Sequence, residues 1–155
     1  MKSTLTAAQR DRSDRIDRVS SQLLPRVAVL TRLLTSQLGG ELSRTELGLL
    51  NTLSNAPRRI TELAELERLA QPTLTQLVQR LEQQGLVNRE RQTDDGRVVL
   101  VSLTEAGAAA LDDFRRRASA ALGAHLVELS DAEIESLAAA TETMGRLVAL
   151  LQQGR

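Results

Sequence analysis

Residues 61–104 carry the pattern that most constrains the fold, which is two short helical segments followed by a strand pair. The helices are predicted at 61–69 and 72–84, so that only two residues remain between them for a turn. After Gly85 the hydrophobic period changes from about 3.6 to about 2, which indicates β-strands. The predicted order is therefore helix, turn, helix and a two-stranded ribbon.

Both helices have recognisable ends. Pro72 suits the first helical position, because proline lacks the N–H that would be unpaired there, and Gly85 suits the residue just past the end, where φ is often positive. Thr61 is predicted to cap the first helix with its hydroxyl. The side chains expected on the buried face of the first helix are Leu63, Leu66 and Leu69.

The second helix has one apolar face and one polar face. Apolar residues at i, i+3, i+4 and i+7 form a single stripe made of Leu74, Leu77, Val78 and Leu81. No large apolar residue lies opposite. Side chains on the opposite face can hydrogen-bond base edges or reach phosphates, although they would also suit water. They are Thr73, Gln76, Gln79, Arg80 and Gln83.

The predicted ribbon has strands at about 87–92 and 98–103. In the second strand Val99, Val101 and Leu103 point one way, and the intervening residues point the other. Asp95-Gly96 predicts a tight hairpin turn between the strands. A ribbon of this size is marginal alone, so we expect it to pack against the helices.

Length and composition restrict the class of protein. A chain of 155 residues can bury roughly 70% of its unfolded surface as one domain. The single aromatic residue, Phe114, predicts an aliphatic core, and the lack of cysteine excludes disulfides and thiol switches. Since there is no long apolar run, we expect no signal peptide and no membrane span, and we expect a cytoplasmic location.

The net charge argues against a nucleic-acid partner, because 20 basic residues balance 20 acidic ones. Counted along the chain, residues 1–38 carry +4, residues 39–103 carry −1 and residues 104–155 carry −3. Any positive face on the central segment must therefore come from local placement of arginines. The candidates are Arg80, Arg89, Arg91 and Arg97.

The N-terminal part is predicted to be helical. Apolar residues recur every three or four positions over 14–38, before Gly39-Gly40 ends the run. Pro25 lies inside this pattern, and the continuous periodicity favours a kink over a break. Ser43 and Glu46 have the spacing of a capping box. The helix that this box opens is expected to bury Leu47, Leu50 and Leu53.

The C-terminal part also predicts helices. Thr104 is expected to cap one, and Ser130 and Glu133 form a second capping box. Apolar steps of three and four residues then predict a coiled-coil-like seam. We assign the first and last helices to each other and to a second copy of the chain, with packing inside one molecule as the alternative. The predicted dimer contacts are Ile16, Val19, Leu23, Ile134, Leu137, Met144, Val148 and Leu151.

Catalysis finds no support in the residue patterns. There is no nucleophile–base pair, phosphate-binding loop or metal cluster, and Asp94-Asp95 at a turn offers no burial to shift a pKa. The single histidine, His125, is expected to be a surface or packing residue. We therefore predict that the chain is not an enzyme and needs no cofactor. Arg115-Arg116-Arg117 is expected to be a solvated face, with a phosphate contact or an interdomain salt bridge as alternatives.

The ordered series of motifs resembles the MarR family of bacterial transcriptional regulators. The resemblance covers about residues 43–107 by motif and the whole chain by order of elements. Any single piece would be weak, but the long series is specific. The matching pieces are Leu63-Ala64 and residues 71–82, 85–89, 95–97 and 103–107.

This resemblance implies a mainly α fold with a small β-hairpin wing. A winged helix-turn-helix domain at 41–104 would be flanked by an N-terminal dimerisation helix at 10–40 and by C-terminal dimerisation helices at 105–155. The implied partners are double-stranded DNA and a second copy of the chain. Two copies would read half-sites about 34 Å apart, so the operator would be a pseudo-palindrome.

The resemblance also implies roles for individual residues. Arg97 would reach the minor groove, and Asp95 would brace the wing by pairing with Arg91. Two departures from the family pattern are Gln76, which suits adenine rather than guanine, and Gly96, which removes a charge from the wing tip. The predicted DNA contacts are Gln71, Pro72, Thr73, Thr75, Gln76, Gln79, Arg80, Arg89, Arg91 and Arg97.

The implied function is that of a repressor. Many members of the family bind small phenolic or lipophilic molecules between the dimerisation and DNA-binding regions, and such a ligand would release the operator. A DNA-binding regulator without an effector is the alternative, and an enzyme or interaction module on the same scaffold is a third class.

Overall fold

The computed structural model describes residues 6–40, 42–91 and 99–153. Within these residues the chain forms six helices and three short strands. Their bounds are α1 Ala7–Leu38, α2 Arg44–Leu53, β1 Arg58–Arg59, α3 Ile60–Glu67, α4 Gln71–Gln83, β2 Val87–Arg91, β3 Val99–Leu103, α5 Glu105–Leu126 and α6 Asp131–Gln153.

The core lies between α2, α3, α4, the strands and the start of α5. Every buried hydrophobic residue in it is leucine, isoleucine or valine, so the prediction of an aliphatic core is confirmed. Phe114 lies outside this cluster and is only partly buried. The core residues are Leu49, Leu50, Leu53, Ile60, Leu63, Leu74, Val78, Leu81, Val87, Val101 and Leu111.

Helix α4 buries the predicted stripe. Leu74, Val78 and Leu81 have no accessible surface, and Leu77 packs against them partly buried. The helix begins one residue earlier than predicted, so Pro72 occupies its second rather than its first position. Proline is tolerated there because the first turn has no intrahelical acceptor for its N–H. Gly85 has a φ of +73°, as expected for a residue that ends a helix.

Helix α3 differs from its prediction at both ends. It begins at Ile60, so Thr61 is inside the helix and is not its cap. Glu62 caps the start of the helix instead, because its Oε2 accepts a hydrogen bond of 3.4 Å from the Arg59 backbone N–H. Arg68, with a φ of +54°, ends the helix in a left-handed conformation that is uncommon for arginine. Leu66 is 39% exposed, so the prediction that it is buried is wrong, whereas Ile60 and Leu63 are buried.

The sheet has three strands, so the two-stranded prediction is incomplete. β2 and β3 pair antiparallel as predicted, and β1 pairs with the other side of β3. Arg58 and Arg89 both lie opposite Val101, which is fully buried. β1 was not predicted, because a two-residue strand made of arginines has no alternating hydrophobic pattern. The predicted Asp95-Gly96 turn lies outside the described residues.

The long helix α1 continues through Pro25, so a break at this residue is excluded. It ends at Leu38 and is followed by Gly39, which has a φ of +50°. α1 packs against α5 of the same chain. The predicted pairing of the first and last helices with each other and with a second copy of the chain stays a prediction. Neither α1 nor α6 contains a buried residue. No helix in the described ranges is long and apolar enough to cross a membrane.

At both predicted capping boxes the glutamate accepts a hydrogen bond from the backbone N–H of the serine before the helix. Only the Ser43 hydroxyl accepts one in return, because the Glu133 N–H donates to the Ser130 carbonyl. The Ser43 N–H donates to Glu46 Oε2 at 2.6 Å, and the Glu46 N–H donates to the Ser43 hydroxyl at 3.3 Å, which confirms the capping box. At the start of α6, the Ser130 hydroxyl and N–H both donate to Glu133 Oε2, at 2.6 and 2.9 Å. Both bonds lower the pKa of the Glu133 carboxyl, and the bond from the Ser130 hydroxyl has the larger effect.

The start of α5 is fastened to the end of α4. The Thr104 hydroxyl accepts from the Gly107 N–H at 3.0 Å, which confirms the predicted cap, and it donates to the Gly85 carbonyl at 2.7 Å. The Thr104 N–H donates to the Leu86 carbonyl at 3.1 Å. A methyl group at Gly107 would overlap the Leu86 carbonyl oxygen. These contacts hold the start of α5 against the residues that follow α4.

We expect Gly107→Ala to lower the free energy of unfolding by about 1–3 kcal/mol, because the backbone at Leu86 must move to admit the methyl group. Gly123→Ala is the matched control in the same helix, since nothing lies within 4 Å of the position that a methyl group would take there. The control should gain up to about 1 kcal/mol from helix propensity. Urea unfolding measures the free energy of unfolding of both variants. Equal changes in the two would contradict the close approach of Gly107 to the Leu86 carbonyl.

Candidate nucleic-acid interface

The polar face of α4 is accessible along its whole length. Its apolar stripe is held in the core, so the remaining side chains must face away from it. Thr75 is the exception among the predicted contacts, because it is partly buried and its hydroxyl donates to the Gln71 carbonyl at 2.8 Å. The exposed residues of the predicted contact set on this helix are Gln71, Pro72, Thr73, Gln76, Gln79 and Arg80.

Arg80 is exposed but not free. Its Nε lies 3.2 Å from Oε1 of Glu46, which is fully buried at the start of α2. Sequence reasoning identified both residues but not their contact. A glutamate at the third position of a helix indicates a capping box, and nothing in that pattern shows which neighbouring helix the carboxylate faces.

Arg89 and Arg91 differ in their surroundings. Arg89 Nη1 forms an ion pair with Glu82 Oε2 at 3.3 Å, and its side chain is 24% exposed. Its buried Nε has no hydrogen-bond partner among the described residues. Arg91, at the end of β2, is exposed and forms no ion pair with another described residue. Arg89 thus joins α4 to β2, and Arg91 is the more available cation.

Two predicted wing residues, Arg97 and Asp95, lie outside the described residues. The minor-groove contact of Arg97 and the brace between Asp95 and Arg91 therefore stay predictions.

A cavity of about 670 Å³ lies behind the helix-turn-helix, between the end of α1, the start of α2, the end of α4 and α5. This volume is within the range of small-molecule sites. Its apolar wall includes Leu42, Leu47, Leu86 and Phe114, and its polar wall includes three arginines and one aspartate. Sequence reasoning did not find this site, because its lining comes from four separate elements.

The arginines of the cavity are Arg32, Arg44 and Arg117. Arg117 Nε pairs with Asp113 Oδ2 at 2.8 Å, and its Nη1 donates to the carbonyls of Leu38 and Gly39 at 3.4 Å. These carbonyls end α1, where a cation is favoured. The run 115–117 is therefore not a simple solvated face, because this arginine holds α1 to α5.

Comparisons with known proteins agree with this geometry. A sequence model of the family "Transcriptional regulator SarA/Rot" matches residues 35–114, which is half of the chain. An uncharacterized HTH-type transcriptional regulator of Mycobacterium bovis is 35% identical over 107 residues, which cover 68% of this chain and 75% of the relative.

Solved structures show the same fold. A MarR family protein from Bacillus stearothermophilus superposes with a TM-score of 0.68 at 23% identity, covering 88% of this chain and 97% of that one. BpsR of Bordetella bronchiseptica, whose DNA binding is described as regulated by 6-hydroxynicotinic acid, has a TM-score of 0.57 at 20% identity. That match covers 81% of this chain and 98% of the BpsR chain.

The two β2 arginines should separate stability from DNA affinity. We expect Arg89→Ala to lower the free energy of unfolding by about 1 kcal/mol, because it removes partly buried packing and leaves Glu82 unpaired. Arg91→Ala should change it by less than about 0.5 kcal/mol. Arg91→Ala should instead weaken binding to any duplex and reduce its salt dependence by about one ion. Urea denaturation measures the stability, and fluorescence anisotropy measures the affinity for DNA. A loss of stability in Arg91→Ala but not in Arg89→Ala would contradict the structure.

Proposed function

Because this chain belongs to the winged helix-turn-helix transcriptional regulators of the MarR and SarA/Rot type, we propose that it is a homodimeric repressor that reads DNA with α4. The observation that carries the proposal is the division of α4 into a buried apolar stripe and an exposed polar face. A helix displayed in this way fits the major groove of B-DNA. Thr73, Gln76 and Gln79 supply hydrogen-bonding groups for base edges.

The charge distribution supports reading by hydrogen bonds rather than by bulk attraction. The central segment is close to neutral, and two of its arginines, Arg80 and Arg89, are paired with Glu46 and Glu82. Non-specific affinity for DNA comes from uncompensated cations near phosphates. Weak non-specific binding leaves sequence preference to the direct contacts of α4 and to the minor-groove contact proposed for Arg97.

A homodimer would cover the apolar surface of the flanking helices. The α6 residues Ile134, Leu137, Met144, Val148 and Leu151 are between 36% and 66% exposed. On α1, Ile16 and Val19 are also exposed. Apolar surface of this extent on helices without buried residues is typical of a protein interface. Two copies related by a twofold axis would place two α4 helices on a pseudo-palindromic operator.

We propose that the cavity behind α4 binds the effector. Its apolar wall suits a small lipophilic or phenolic body, and the excess of arginine over aspartate suits an attached acid group. The regulation of BpsR by 6-hydroxynicotinic acid, an acid on an aromatic ring, is a precedent among proteins of this fold. The cavity contacts the ends of α1 and α4, so a ligand there could change their relative position. A regulator without an effector is the alternative.

The first experiment compares binding of the purified protein to duplex DNA from its own upstream region and to a scrambled duplex. At about 0.15 M salt, where exposed charges are screened, we expect a preference of about a thousandfold for the upstream fragment. Equal binding to both would contradict the proposal. Adding salicylate as a probe of the cavity should weaken only the specific complex, and an unchanged affinity across a set of hydroxybenzoates would favour the alternative without an effector.

The dimer is tested by placing a charge on the exposed seam. Met144→Asp should convert the dimer to monomer, since it introduces a carboxylate into an apolar interface. Ala139→Asp on the far side of α6 is the control and should stay dimeric. Sedimentation velocity measures both. A Met144→Asp protein that remains dimeric would show that the seam is not the interface.

A further inference from the structure

Among the residues that the structure describes, Glu46 is the one charged side chain that is fully buried. Capping does not explain this burial. Glu133 accepts the same kind of bond at the start of α6 while it is exposed, and Glu62 does so at the start of α3 while it is partly exposed. Burying a carboxylate is unfavourable unless it is paired. The position of Glu46 therefore points to a second partner, and that partner is Arg80.

The contact between them leaves part of each group available. Glu46 Oε2 accepts the Ser43 N–H at 2.6 Å, and Oε1 lies 3.2 Å from Arg80 Nε. The second contact is an ion pair that is not aligned as a hydrogen bond, so Oε1 receives no hydrogen bond from the described residues. The Arg80 side chain is 60% exposed. The two terminal nitrogens donate no hydrogen bond to the other described residues, so they remain able to bind an outside acceptor.

A guanidinium held in this way differs from a mobile surface cation. Its terminal nitrogens form a planar fork, and the orientation of that fork is restricted by the contact at Nε. The nearby carboxylate offsets its charge, which weakens its attraction to phosphate. Hydrogen bonding by the fork is unaffected, and a fork fits the O6 and N7 atoms of guanine.

We propose that Glu46 is a positioning residue that orients Arg80 to read a guanine in each half-site. This inference rests on the proposed function, because it requires α4 to enter the major groove. It adds to that function a residue outside the helix-turn-helix surface, and it assigns Arg80 to a base edge rather than to a phosphate. Gln76 then reads one base of the half-site and Arg80 reads another.

The test substitutes each partner and measures preference as well as affinity. Glu46→Gln keeps the shape and the oxygen that accepts the Ser43 N–H, but it removes the charge that holds Arg80. We expect preference for the operator over a scrambled duplex to fall about tenfold, with no loss of binding to the scrambled duplex. Selection of bound sequences should show one guanine position relaxed in each half-site. Glu82→Gln is the matched control, because Glu82 also pairs with an arginine, and it should leave this position unchanged.

Arg80→Lys provides a second route that leaves Glu46 paired, so the proposal remains testable if Glu46→Gln does not fold. The lysine keeps the charge and loses the fork, so the same guanine position should relax while the salt dependence stays the same. In the Arg80→Lys background, Glu46→Gln should cause no further loss of preference.

Three results would overturn the proposal. Glu46→Gln could lower the melting temperature and leave base preference intact, which would make Glu46 purely structural. Arg80→Lys could keep the guanine preference, which would indicate a phosphate contact. The supporting result is different: the variants lose preference at one base position while the wild type keeps its operator, and then both the proposed function and this inference stand. The third overturning result is a wild-type protein that prefers no duplex, because then the proposed function and the inference about Glu46 both fail.

Discussion

The structure depends on the burial of one face of α4. Leu74, Val78 and Leu81 lie in a core made by α2, α3 and the sheet, and their burial fixes the rotation of the helix about its axis. That rotation determines which side chains of α4 can contact DNA. A rotation of about 180° would exchange the glutamines for leucines, so the same residues that stabilise the domain also define its outer surface.

Contacts near the C-terminal end of α4 connect the helix-turn-helix to the rest of the chain. Thr104 bonds the residues that follow α4, and Gly107 allows α5 to approach the Leu86 carbonyl. Glu46, in the first turn of α2, contacts Arg80 in the last turn of α4. The cavity lies between these contacts and the end of α1. Movement of α1 or α5 would therefore reach α4 through defined contacts rather than through a flexible linker.

Sequence patterns predicted the helices of the central domain, the α4 stripe, the two capping glutamates and the Thr104 cap. Their signals are local, because capping and amphipathic periodicity depend on residues a few positions apart. Strand β1 was missed, since two arginines make no strand pattern and pair only because β3 is beside them. The start of α3 was placed slightly too late, because a glutamate inside the helix can close it as well as a threonine before it.

The sequence by itself determined which residues are apolar at helical spacing, the caps at Ser43 and Thr104, and which side chains of α4 are polar. These properties follow from the order of neighbouring residues. Only the tertiary structure decided that Arg80 meets a buried carboxylate, that Arg89 is partly buried while Arg91 is exposed, and that four elements enclose a cavity lined by arginines. Such contacts join residues distant in the chain, and their energies depend on burial, which no local pattern specifies.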